Sequence, residues 1–470
     1  MADDGGTLYR LSLTSRFYST IALAALYASL TKFPSDYDDE DRLAEDATSY
    51  SLRITKWSSL WKSLAMSAVD NRSTTINYAR ALRILSLRDL LSLMEEFRSL
   101  RAQSVRQTFF AGGLEQCNMT RTYNISGTPQ TVFDFNSSTD ALTDMITRET
   151  RNVTTLIRQN TERPSLDQPG HLHRWLRHLP ALETLQVFSG DTFEDERVRD
   201  AVTNCPNFKS LQIYHWPANV DPDEALSQFV SSISGRGLER LVITHGHNCV
   251  RELAVSALSF YHGSALTELE VLDVSDACLK ALEMATNITN LRSCTFSLAG
   301  LRFTFPNEES CDIVSQFLGR NPSLERLDLG LFGVDKILTP VLPILKLKHL
   351  SITDVHETIL PDSFWTALNS QSSSLELLTL KTLNPYPDII CPSVQMINSI
   401  RLLYKLKVLD ITAFSVLVSD WDVRNIVQSC PLLEDLNLAS PSLSNQTLVQ
   451  LATLPRLTNF ACQYSPTFCD

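Results

Sequence analysis

The chain has 470 residues, 43% of them hydrophobic, and a formal net charge of −12. That length fits two or three domains or one long repeat array. The acidic balance argues against a nucleic-acid partner, which would need a basic surface. No apolar run approaches the roughly 20 residues of a membrane-spanning helix, so no membrane is expected.

Residues 1–33 carry Leu11, Leu13, Phe17, Ile21, Leu23, Leu26, Tyr27 and Leu30 at mixed three- and four-residue steps. This spacing predicts a short amphipathic helical segment. The opening Met1-Ala2-Asp3-Asp4 is acidic where a secretory signal is basic, so cytoplasm or nucleus is the expected compartment. Ten dispersed cysteines with no Cys-x-x-Cys pair then read as buried thiols. Residues 34–50 hold Asp36, Asp38, Asp39, Glu40, Asp41, Glu45 and Asp46 against Arg42 alone, the composition of a solvated linker.

From residue 51 to 470 the expected element is a repeat array, regular from about 171. Its first part is a helix over Ile54–Met66 with Trp57, Leu60, Trp61 and Leu64 on one face. Leu82/Leu85/Leu87 reads as a first repeat strand, with Arg88–Met94 as its helix or turn. Between Arg98 and Ser165 the periodicity weakens. One or two degenerate repeats, with a strand near Thr131–Phe135, or a long loop both fit.

From Leu182 the motif Leu-x-x-Leu-x-Leu recurs eleven times at intervals averaging 27.5 residues, with conservative replacements. Examples are Leu182/Leu185/Val187, Leu238/Leu241/Ile243, Leu269/Leu272/Val274, Leu324/Leu327/Leu329 and Leu457/Phe460/Cys462. The period is that of leucine-rich repeats. The expected fold is α/β, a leucine-rich-repeat solenoid of the ribonuclease-inhibitor-like horseshoe type. Parallel strands would line its concave side and helices its convex side. The ninth motif position holds no asparagine in any of these repeats, so irregular turns are expected.

A solenoid is a binding surface before it is a catalyst. Residues between the motif leucines point away from the core. The central row then reads Gln186, Gln212, Val242, Asp273, Thr295, Asp328, Ser351, Thr379, Asp410, Asn437 and Ala461. Asp273, Asp328 and Asp410 are expected to meet a basic or polar segment of a protein substrate. Phe188, Tyr214 and Trp216 are expected to be exposed anchors. No nucleophile elbow, phosphate loop, His-Glu-x-x-His helix or dinucleotide glycine pattern occurs, so no enzyme and no cofactor is expected. His245-Gly246-His247-Asn248-Cys249 has three ligand-type residues without a fourth at a closing distance. His171, His173 and His178 flank Trp175 and read as surface residues, so no metal is expected.

Leu8-Tyr9-Arg10-Leu11-Ser12-Leu13-Thr14-Ser15-Arg16-Phe17-Tyr18, followed by Ala22–Leu30, resembles the second half of an F-box. Cys205-Pro206-Asn207-Phe208-Lys209-Ser210-Leu211 is similar to the repeats of F-box proteins with leucine-rich repeats. The Trp-rich helix, Tyr78–Met94 and Leu179-Pro180-Ala181-Leu182 resemble the divergent fungal members of that group. The resemblance implies a non-catalytic substrate-recognition subunit of a cullin-type ubiquitin ligase. It also implies that Leu11, Leu13, Phe17, Leu23, Leu26 and Tyr27 contact a Skp-type adaptor. The Leu-Pro start and first helix of that module have no counterpart in Met1–Thr7, so either the chain is truncated or adaptor binding is lost. The alternative is a leucine-rich-repeat scaffold for protein interactions with no ligase role.

Overall fold

The computed structural model describes residues 47–69, 77–125, 128–158, 169–217, 221–245, 250–297, 307–330, 333–353, 360–381, 392–412, 417–440 and 443–463. The proposed adaptor contacts Leu11, Leu13, Phe17, Leu23, Leu26 and Tyr27 lie outside the described residues. The chain forms two compact units, Met1–Tyr214 and His215–Asp470. Each is α/β and built of leucine-rich repeats, with parallel strands on one side and helices on the other.

In the first unit the helix Ala47–Val69 buries Ile54, Trp57, Trp61, Leu64 and Ala65. Steps of three and four residues place these on one face. The helix packs on Gln103–Phe110 and Phe135–Glu149. Beside it Phe97, Phe109 and Phe110 form an aromatic cluster with ring centroids 4.9–6.2 Å apart. Strand β1 (Ile84–Ser86) stands where Leu82/Leu85/Leu87 predicts it. It is cut short because the Ser86 Oγ accepts the Asp89 N–H at 3.3 Å and starts the helix Leu87–Glu96.

The Arg98–Ser165 stretch resolves into two different things. β2 (Thr120–Ile125) and β3 (Thr128–Phe133) form an antiparallel hairpin outside the repeat sheet, so the strand expected near Thr131–Phe135 is not a repeat strand. The repeat strand is β4 (Thr155–Arg158), parallel to β1. Its motif is Val153/Leu156/Arg158, with arginine in place of the last leucine. Arg158 is buried, and its guanidinium lies 5.4 Å from the Trp175 ring centroid. That contact compensates part of the cost of desolvating the charge. β5 (Thr184–Ser189) and β6 (Ser210–His215) continue the order.

The second unit runs β7 (Arg240–His245), β8 (Glu268–Leu272), β9 (Ser293–Ser297), β10 (Arg326–Gly330), β11 (His349–Ile352), β12 (Leu377–Leu380), β13 (Val408–Asp410), β14 (Asp435–Ala439) and β15 (Asn459–Gln463) in sequence order. The register aligns Leu241, Leu269, Cys294, Leu327, Leu350, Leu378, Leu409, Leu436 and Phe460. All but Phe460 on the last strand are buried, each covered by its neighbours' equivalents.

This register corrects one motif. The β8 repeat uses Leu266/Leu269/Val271, not Leu269/Leu272/Val274, because Leu269 pairs with Leu241 and Cys294. Both frames satisfy the pattern. The inner frame wins because Leu266 and Val271 are buried while Leu272 is half-exposed at the strand end.

Two internal devices replace the missing asparagine ladder. The first is a buried polar side chain that ends the helical part of a repeat and bonds the preceding repeat's turn. The Asn321 Oδ1 accepts the Leu291 N–H at 3.0 Å, and its Nδ2 donates to Ile288 and Phe317 carbonyls at 3.0 and 2.9 Å. The Gln371 Oε1 accepts the Leu347 N–H at 2.8 Å, and His262 takes the Leu238 N–H at 3.1 Å. Cys205 and Cys430, the cysteines of the Cys-Pro pairs, donate to carbonyls at the same place in their repeats at 3.6 Å. The second device is an aspartate at the start of one helix that caps the next. Asp223 accepts from Arg251, Leu253 and Ala254 N–H groups at 2.7, 3.0 and 3.0 Å. Asp420 does the same for Ser444, at 2.7 Å.

Candidate functional site

Along each strand, residues on either side of the motif leucine point outward from the core. In the second unit the paired central positions are Val242, Glu270, Thr295, Asp328, Ser351, Thr379, Asp410, Asn437 and Ala461. Glu270 therefore occupies the place expected for Asp273. Asp273 lies beyond the strand end, buried, with φ 66° in the left-handed region. That conformation ends the strand and removes Asp273 from the row.

Glu270 and Asp328 are both paired to Thr295, one on each side. Adjacent strands are about 4.8 Å apart, so the two carboxylates sit roughly 10 Å from each other. Burial raises the pKa of Glu270; Arg240 and Arg326 oppose this, and Glu268 and Asp328 reinforce it. Burial likewise raises Asp328, against the Ser351 hydroxyl, Arg326 and Lys381. Each is a half-buried acid whose ionised form is held at a cost, and an arriving cation would relieve that cost.

Asp410 differs. It accepts from the Thr412 N–H and hydroxyl at 3.2 and 3.0 Å, and the Lys381 ammonium lies 3.7 Å away. Cations absent from the central row are thus present beside it. Arg240 pairs with Glu268 at 2.8 Å on the row before it. At the strand starts Lys348 pairs with Glu325 at 2.9 Å and Lys407 with Glu376 at 2.6 Å. These exposed pairs contribute little stability, and among the described residues neither Glu270 nor Asp328 forms an ion pair.

In the first unit Phe188 and Tyr214 are half-buried and stacked, with centroids 5.3 Å apart and planes at 24°. Their neighbours along the strands are Gln186 and Gln212. Trp216, expected as a third exposed anchor, is only 4% exposed and belongs to the core. Trp216 is the first residue beyond β6, where strand alternation no longer decides direction.

The histidines are accounted for in other ways. His171 pairs with Asp140 and meets the Trp175 ring edge-on at 6.3 Å. Residues 246–249 of the His245–Cys249 segment lie outside the described residues. Among the described residues no group of three His, Cys, Asp or Glu side chains is placed to hold a metal ion, and no helix is long and apolar enough to cross a membrane.

Glu270 and Arg158 are the residues missed from sequence. Glu270 was visible in the second motif frame that starts at Leu266. Arg158 breaks the leucine pattern, and nothing in one sequence marks it as a strand residue.

No protein-family model matches the chain, and no curated protein matches it. Among solved structures, the chain is similar to one described as the Rad7 and Elc1 complex in yeast, with 16% identity, 68% of this chain and 83% of that chain covered, and a TM-score of 0.42. It is also similar to a protein from Bacteroides fragilis, with 14% identity, 73% of this chain and 89% of that chain covered, and a TM-score of 0.34.

Proposed function

We propose that this chain is a non-catalytic substrate-recognition subunit of a cullin-type ubiquitin ligase. In this reading the outward strand face holds a protein substrate, and Leu11, Leu13, Phe17, Leu23, Leu26 and Tyr27 contact a Skp-type adaptor. The observation that carries the binding part is the central row of the second unit, where Glu270 and Asp328 flank Thr295 as half-buried acids. The ligase part rests on the F-box resemblance of the N-terminal segment. Such a subunit works by proximity. It holds a substrate so that ubiquitin transfer to a lysine becomes effectively intramolecular.

On this reading a lysine- or arginine-bearing segment of the substrate meets Glu270 and Asp328, with Asp410 further along the row. Phe188 and Tyr214 supply apolar contact on the first unit. Asp273 and Trp216 take no direct part, because both are buried.

The test is direct binding to proteins that accumulate when the gene for this chain is deleted. Glu270→Lys with Asp328→Lys should weaken their binding tenfold or more, which is about 1.4 kcal/mol. Circular dichroism should stay unchanged, because both side chains lie on the outward face. Undiminished affinity in the folded double variant would rule the acidic row out as the contact.

A further inference from the structure

His262 closes the helix Glu252–His262 and is fully buried. Its Nδ1 takes the Leu238 N–H at 3.1 Å, and its Nε2 lies 3.0 Å from the Val230 carbonyl oxygen. A backbone N–H can only donate, so Nδ1 must be bare and Nε2 must carry the hydrogen. The imidazole is therefore neutral, in one tautomer, and both its nitrogens are used. A second proton on Nδ1 would face a donor with a donor and bury an uncompensated charge.

Among the described residues His262 forms no ion pair. On its own helix Tyr261 is the titratable neighbour, with ring centroids 6.5 Å apart, and Glu252 lies at the opposite end. On the packed helix Pro222–Ser232, Asp223 is at the first turn, holding the N–H groups of Arg251, Leu253 and Ala254. Arg236 and Glu239 of the connecting turn are half-exposed and exposed. From the following repeat Glu283 is exposed, and Lys280 pairs with Glu309 at 3.0 Å. Burial lowers the His262 pKa, and the Val230 carbonyl is its only opposing influence.

The same joint in other repeats is made by groups that do not take up a proton near neutrality: Asn321, Gln371, Cys205 and Cys430. We infer that the joint between the β7 and β8 repeats is an acid-sensitive hinge, opened when His262 is protonated. Opening there would separate Val242 from Glu270 and break the acidic row at its first carboxylate.

The sign follows from linkage. A histidine whose folded pKa is depressed contributes its full stability above the unfolded value of 6.5 and loses it as pH falls from there towards the folded value. One proton taken up only by the open form raises its population about tenfold between pH 7.5 and 5.5.

Hydrogen exchange of the full chain at these two pH values, corrected for intrinsic rates, reads this directly. Leu238–Ile243 should lose about tenfold in protection, whereas the Leu291 and Leu347 joints should not change. His262→Gln should abolish the difference, since Gln371 makes the equivalent joint at the same offset from its leading leucine. In parallel, imidazole nitrogen shifts of the native chain should report the Nε2–H tautomer, with any titration displaced below that of a free imidazole. Equal protection at both pH values, a pH response that survives His262→Gln, or an imidazole that titrates near 6.5 inside the fold would each overturn the inference.

Discussion

Asn321→Leu is expected to destabilise the second unit by on the order of 3 kcal/mol. Leucine keeps the branched four-atom skeleton of asparagine and is bulkier, so cavity formation is not the cause. What changes is bonding. Asn321 is fully buried, and its amide serves three backbone groups: Leu291 N–H, Ile288 C=O and Phe317 C=O. The Leu291 N–H and the Ile288 carbonyl belong to the previous repeat's turn and have no water to turn to. Each buried group left without a partner costs about 1–3 kcal/mol. Urea unfolding followed by far-ultraviolet circular dichroism measures the loss as a lower midpoint. A midpoint within error of the native chain would show that the side chain is dispensable at this joint.

Asp223→Ala should have an effect of similar size, about 3 kcal/mol, through a different contact. The carboxylate is buried and accepts from three N–H groups at the start of the helix Glu252–His262. The residue before that helix is Arg251, which cannot cap it, so the cap comes from the preceding repeat. Removing it orphans donors at a positive helix terminus. Asp223→Asn should recover part of the stability, since one amide oxygen still accepts. An alanine variant as stable as the native chain would mean that the carboxylate plays no part in this cap.

Much of this fold was legible because one signal repeats. A leucine pattern near 27 residues needs no single repeat to be read correctly, and ten of the eleven frames from Leu182 onward agree with the strands. The exception, at β8, had two adjacent frames of equal quality, and only packing against Leu241 and Cys294 chooses between them. That choice moved the site residue from Asp273 to Glu270. The joints were half legible. Cys205 and Cys430 stand out beside proline, but Asn321, Gln371 and His262 share no residue type, and only Gln371 and His262 share an offset from the leading leucine. Their equivalence exists only in three dimensions. Trp216 was misplaced because strand alternation was extended one residue beyond the strand, and Arg158 was missed because a charge sits where the pattern demands a leucine.

On the proposed function, an adaptor contact at the N-terminus serves a recognition face on the repeats. The most direct measurement is calorimetric titration of a Skp-type adaptor into the purified full chain and into a chain starting at Ala47. Saturable one-to-one binding by the full chain and none by the shortened one is expected, with both forms equally folded. Failure of the full chain to bind, or equal binding by both, would contradict it.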